Sequence, residues 1–111
     1  MTPIAQNFRL LHNGERIQLS TDDVLYLQSD VNYTIFYTAD KRTIISSRHL
    51  GMYAEALDGK SFIRINKSYL LNRKYLDRFL LKRDGSKAFL SDGTVLDISR
   101  RQATNIRRMK L

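Results

Sequence analysis

The stretch Phe62-Ile-Arg-Ile-Asn-Lys-Ser-Tyr-Leu-Leu-Asn72 decides how this chain is read. Two segments of strand-forming residues, Phe62 to Ile65 and Tyr69 to Leu71, enclose a short polar break, Asn66-Lys67-Ser68. Aromatic and β-branched side chains suit a pleated, half-buried surface. The charges interleaved with them therefore project from a folded surface and not from a loose tail. The stretch also opens the basic half of the chain. From Met1 to Gly59, five Lys or Arg stand against seven Asp or Glu, a net of −2. From Lys60 to Leu111, fourteen basic residues stand against four acidic ones, a net of +10. The total is +8. A chain that keeps one half near neutral and loads the other with positive charge is built to meet a polyanion.

Composition sets the outer limits. The 111 residues form one domain, 1–111, near the lower end of the range that supports a real core. Hydrophobic residues at 42% and aromatics at 10% are too abundant for a disordered tail. The chain has no cysteine, which excludes disulfides and thiolate metal sites and fits a reducing cytoplasm. Its longest apolar runs, such as Val24-Leu25-Tyr26-Leu27, fall far short of a membrane span. Met1 to Leu10 lacks the basic start and apolar stretch of a signal peptide. The expectation is a cytoplasmic protein with no membrane partner.

Most of the chain has period two. Phe8 to Leu11 and Arg16 to Leu19 flank His12-Asn13-Gly14-Glu15, whose Asn-Gly is a strong hairpin turn signal. Val24 to Gln28, Tyr33 to Thr38 and Thr43 to Ser46 follow. After the opening stretch come Tyr75 to Lys82, Lys87 to Leu90 and Val95 to Ile98, with Asp84-Gly85 and Asp92-Gly93 as turns. Short strands at this spacing predict a mainly β fold, an antiparallel sandwich or meander. Two helices interrupt it. Leu50, Tyr53, Ala54 and Leu57 form one apolar stripe on a short helix that Asp58-Gly59 ends. Ser99-Arg100-Arg101-Gln102 reads as a capping box that starts a C-terminal helix toward Met109, with Ala103, Ile106 and Met109 inside.

Catalysis finds no support in these residues. His12 and His49 are far apart, and the adjacent carboxylates Asp22 and Asp23 point apart and suit backbone amides after Ser20-Thr21. The five glycines are single, so no phosphate-cradling loop exists, and no cluster has metal-ligand spacing. Neither an enzyme nor a bound cofactor is expected.

Three polar places carry the binding chemistry. Arg100 and Arg101 occupy the first helical positions after Ser99, where the helix dipole favours acidic residues. The compensation would be an anion, since free amides, dipole and guanidinium groups together favour phosphate, and an arginine fork also reads guanine. Simple solvation of both arginines is the plain alternative. Asn66-Lys67-Ser68 offers amide, ammonium and hydroxyl donors from one protruding loop, although an ordinary solvated turn fits these residues equally well. Ser29-Asp30-Val31-Asn32-Tyr33 is a third polar loop, in which Asn32 also suits a turn.

At these three places the sequence resembles the LytTR family, the DNA-binding domain of many bacterial response regulators of the LytR and Agr type. The resemblance covers roughly Glu15 to Lys110. It rests on Asp23-Val24-Leu25-Tyr26-Leu27, Asn32-Tyr33, the Phe62 to Asn72 block, Leu90-Ser-Asp-Gly93 and Ile98-Ser-Arg-Arg101, in that order and spacing. It implies an elongated antiparallel β fold that puts loops, not a recognition helix, into successive major grooves. Carried across by position, Asn32 or Tyr33, Lys67 and Arg101 would lie nearest the bases. Asn66, Ser68, Arg100 and neighbouring lysines would lie on the phosphate backbone. The family commonly has His then Arg where this chain has Asn66 then Lys67, so base preference does not carry over. A receiver or membrane-sensor domain usually precedes this domain; here a stand-alone member is expected, or a partner that supplies the two-component signal.

The main reading is a sequence-specific duplex-DNA-binding transcriptional regulator, monomeric when free and paired on tandem direct repeats. The chain shows no heptad or long amphipathic helix to support an obligate dimer. A rival reading, a single-stranded nucleic-acid or RNA-binding module, would stack bases on Tyr33, Phe36 and Tyr37. A third, a basic adaptor for acidic proteins, fits the charge but not the three loops.

Overall fold

The period-two segments pair into three antiparallel sheets. The computed structural model describes residues 7–12 and 14–109. β1 (Asn7–His12) and β2 (Glu15–Ser20) make a hairpin. Its turn residue Asn13 lies outside the described residues, and Gly14 beside it has the positive φ, 79°, that such turns require. β3 (Val24–Asp30), β4 (Tyr33–Thr38), β5 (Thr43–Ser46), β6 (Phe62–Arg64) and β7 (Tyr69–Asn72) form a central sheet ordered β5-β4-β3-β7-β6. β8 (Leu76–Leu80), β9 (Ser86–Leu90) and β10 (Val95–Ile98) form the third sheet, ordered β10-β9-β8. The helices are α1 (Leu50–Leu57) and α2 (Arg100–Arg108). The fold is mainly β, as its alternating sequence predicts.

Alternation places a core on each face of the central sheet. Phe62 and Leu70 point one way, Ile63 and Leu71 the other, and all four are buried. On the first face, Leu27, Phe36, Ile44 and Phe62 meet Phe8, Leu10 and Leu19 of the hairpin and all four stripe residues of α1. The aromatic rings pack edge to face: Phe8 lies 4.8 Å from Phe36 and 5.8 Å from Tyr53 between centroids. The Tyr53 hydroxyl is satisfied by Ser46 Oγ at 2.6 Å. On the second face, Ile63, Ile65 and Leu71 meet Ala88, Leu90, Leu96 and Ile98 of the third sheet and Ala103 and Ile106 of α2. Met109 packs against that second core from the helix end, as its spacing predicts.

Two local expectations need correction. The strand expected over Tyr75 to Lys82 begins late, because Arg73–Tyr75 forms a single 3-10 turn first. The cause is Asn72, whose buried carboxamide accepts the Lys74 N–H at 3.0 Å and donates to the carbonyls of Thr21 and Val24 at 3.0 and 2.8 Å. At Asp22-Asp23 the capping acceptor is not a carboxylate. Ser20 Oγ accepts the Asp22 N–H at 3.3 Å, and residues Thr21–Asp23 turn behind it.

Candidate nucleic-acid interface

The first loop is the tip of the β3–β4 hairpin. Asp30 pairs with Tyr33, so Val31 and Asn32 alone make the turn. Val31 has φ of 55° and is 84% exposed. A β-branched residue is strained in this left-handed region, at a cost of about 1–2 kcal/mol relative to a residue that tolerates it. Asn32 is exposed beside it, and Tyr33 is 51% exposed at the start of β4.

The second loop, Asn66 to Ser68, is built by its own asparagine. Asn66 Oδ1 accepts the N–H groups of Ser68 at 2.6 Å and Tyr69 at 2.9 Å, the Asx arrangement that lets this side chain stand in for a backbone turn. Its Nδ2 donates to the carbonyl of Asp97 at 2.7 Å. Arg64 braces the loop from below, donating through Nε to the Asn66 carbonyl and through Nη2 to the Lys67 carbonyl, both at 2.7 Å. Lys67 is left exposed at the tip.

The third place is the start of α2. Ser99 Oγ accepts the Gln102 N–H at 3.2 Å, as a cap should. The capping box is only half made. The Ser99 N–H donates to the Ile65 carbonyl at 2.9 Å, and Gln102 Oε1 accepts from Asn105 instead of reaching back. Arg100 and Arg101 stand exposed on the first turn, which holds no acidic residue.

Hydrogen bonds to the backbone join these places in one row. The Ser29 N–H donates to the Ser68 carbonyl at 2.8 Å, which ties the first loop to the second. The Asn66–Asp97 and Ser99–Ile65 bonds tie the second to the third. Of the seven residues singled out in the sequence, all are brought into this row. Asn32, Tyr33, Lys67, Ser68, Arg100 and Arg101 make no side-chain hydrogen bond or ion pair with the described residues, whereas Asn66 spends three bonds on the loop itself. Arg64 went unnoticed in the sequence. Its signal was an arginine two positions before a polar break, within reach of the loop's carbonyls.

The stacking surface required by a single-strand module is not assembled. Phe36 is fully buried, and Tyr37 lies stacked on Tyr26 at 4.5 Å and donates to Gln28 Oε1 at 2.6 Å. Burial, then the neighbouring Tyr37, Tyr69 and Asp92, pushes the Tyr26 hydroxyl up to about 12. Tyr37 is raised as well, by burial first and then by Tyr69 and Asp30. Of the three rings only Tyr33 is exposed. Among the described residues no cluster of His, Cys, Asp or Glu could hold a metal ion, and no helix is long and apolar enough to cross a membrane.

Architecture and loops together describe a mainly β domain that presents a row of basic and polar loops tied to one another by hydrogen bonds. The chain belongs to the LytTr DNA-binding domain family, whose match spans residues 14–110. Among solved structures it is similar to a LytTr DNA-binding domain from Bacillus cereus, with a TM-score of 0.80 and 18% sequence identity. That match covers 96% of this chain and 97% of the other. No curated protein matches the chain.

Proposed function

We propose that this chain is a sequence-specific duplex-DNA-binding transcriptional regulator that reads major grooves with loops between strands. Family membership supports DNA as the partner. The observation that carries the finer reading is the row of three loops whose outer side chains are uncommitted while their backbones are fastened to one another. Fixed backbone with uncommitted donors is what reading base edges requires, because such donors exchange water for a base or phosphate without giving up a bond within the protein. Asn32 or Tyr33, Lys67 and Arg101 are proposed nearest the bases, with Ser68 and Arg100 on phosphates. Asn66 first shapes the loop, and its remaining N–H is available to a phosphate. The protein acts in the cytoplasm, monomeric when free and pairing on tandem direct repeats, with a signalling partner supplying the input.

Competition of labelled duplex against single-stranded DNA and poly-U RNA at physiological salt tests this reading, followed by selection of sites from a random pool. Duplex should win, and direct repeats should be enriched. On the selected site, Lys67→Ala should cost about 1–3 kcal/mol and relax discrimination at one position, whereas loss of a phosphate contact weakens all sequences alike. Equal competition by poly-U, or a pool with no enriched sequence, would overturn the proposal.

A further inference from the structure

The half of the chain from Met1 to Gly59 has a net charge of −2, yet three of its five basic residues line one groove. Arg9 and Arg16 come from the β1–β2 hairpin and Arg48 from the segment after β5, around an open space of about 510 Å³. No carboxylate among the described residues lines it. Among the described residues none of the three guanidinium groups has a carboxylate within ion-pairing distance; Arg48 reaches only Met52 Sδ, at 3.4 Å. Of the half's two other basic residues, Arg42 is paired with Asp40. Three like charges held together without a counter-charge oppose one another and so favour an anion from outside.

The groove's position says which anion. Thr34, the residue after Tyr33, is buried and donates through its hydroxyl to the Arg48 carbonyl at 2.7 Å. Thr34 also pairs across the sheet with Ser46, whose hydroxyl accepts the Arg48 N–H at 3.2 Å. Arg48 is therefore fastened beside the hairpin that carries Asn32 and Tyr33, on the side away from Lys67. Leu11 pairs with Arg16 and Arg9 with Gln18, so the two hairpin arginines are diagonal neighbours on one outer face. Such diagonals lie about 7–8 Å apart, a spacing that suits successive phosphates on one strand better than a single small acid.

We infer that Arg9, Arg16 and Arg48 form a further DNA contact, a clamp on the phosphate backbone of the duplex where it runs on past the Asn32 loop. The inference rests on the proposed duplex binding and extends its footprint from the basic half of the chain into the near-neutral half. The clamp adds affinity without sequence preference, because phosphates carry no sequence information.

The test measures the salt dependence of binding to a mixed-sequence duplex of about 30 base pairs. That is over twice the roughly 13 base pairs that the 44 Å long axis would cover at 3.4 Å per pair. The parent is compared with the triple variant Arg9→Gln, Arg16→Gln, Arg48→Gln and with Lys67→Ala, each checked for an unchanged melting curve. Glutamine keeps part of the stem and a polar end while removing the charge. Each phosphate contact contributes about 0.9 to the log–log slope, so the triple variant should be shallower by roughly 2–3 and weaker on the order of a hundredfold or more near 0.1 M salt. If it is the clamp alone that fails, the parent binds duplex and Lys67→Ala weakens it, but the triple variant keeps the parent's slope. If the parent does not prefer duplex, the underlying reading falls with it. Titration with inorganic phosphate is the last arm: saturable binding by the parent that the triple variant loses, with no change in the DNA slope, would make the groove a small-anion site and overturn the clamp.

Discussion

The two faces of the central sheet are covered in opposite ways. The first, against α1 and the β1–β2 hairpin, is filled by large rings that interlock edge to face. The fully buried residues of the second, against the third sheet and α2, are aliphatic and small, with Ala103 and Ile106 from the helix, while Tyr26, Tyr69 and Phe79 pack only half-buried against them. Aromatic pairs contribute about 0.5–1.5 kcal/mol beyond the area they bury, and those of the first face are buried whereas the Tyr26, Tyr37 and Tyr69 pairs of the second are half-exposed, so the first face is the deeper anchor. The row of loops belongs mainly to the second. The ring-filled core and the loops proposed to read DNA thus lie on different faces, and α2 holds its arginines by a shallow contact plus one backbone bond from Ser99 to Ile65.

Core truncations test that contrast most strongly. Phe36→Ala removes a fully buried ring and should destabilise by about 3–5 kcal/mol, while the folded fraction keeps its DNA affinity. Ile106→Ala should cost less, about 2–3 kcal/mol, yet weaken DNA binding because α2 shifts with its arginines. Chemical denaturation and binding isotherms on both variants decide it. Greater loss of affinity in Phe36→Ala than in Ile106→Ala would abolish the division of labour.

Arg101→Ala should act with opposite signs. It relieves repulsion by the helix dipole and inserts a better helix former, so stability should rise by a few tenths of a kcal/mol. Binding should fall by about 1–3 kcal/mol. A lower melting temperature with unchanged affinity would make this arginine structural.

Val31→Asn tests the strained hairpin tip. Asparagine tolerates the left-handed region, so the variant should gain up to about 1 kcal/mol in denaturant titration. No gain would mean that the exposed valine is not strained against its neighbours in the folded chain.

A last effect is confined to alkaline pH. The Tyr26 hydroxyl is raised from about 10 to about 12 in the folded state, so the folded chain holds its proton longer than the unfolded one. That contribution is fully present below pH 10 and is lost as pH rises toward 12. Tyr26→Phe should flatten the fall in stability across this window, leaving the part owed to Tyr37. Melting curves at pH 8 and pH 11 compare the two chains, and identical slopes would remove Tyr26 from the account.

Much of this was legible in the sequence because it is local. The stripe Leu50, Tyr53, Ala54, Leu57 is buried in full, and the Ser99 cap forms where its spacing predicts. What stayed hidden depends on residues far apart in the chain. Asn66 meets the Asp97 carbonyl 31 residues away, and Asn72 meets Thr21 across 51, contacts that no period can announce. Val31 was unreadable for another reason: a β-branched residue is a poor left-handed former, so its tight turn is imposed by the flanking strands and not by its own preference. The three groove arginines were hidden by the neutral balance of their half, since net charge averages over residues that folding gathers.

Neighbouring side chains on β6 and β7 serve different cores: Phe62 and Leu70 one, Ile63 and Leu71 the other. These two strands are therefore a party wall. Neither core can melt and leave the other closed, because losing the wall exposes both. Unfolding should be a single cooperative event, with calorimetric and van't Hoff enthalpies equal, despite a chain that packs two separate interiors. A protein this small gains from that economy, since the layer that carries the Lys67 and Arg101 loops draws its resistance to local opening from the ring-filled layer behind it.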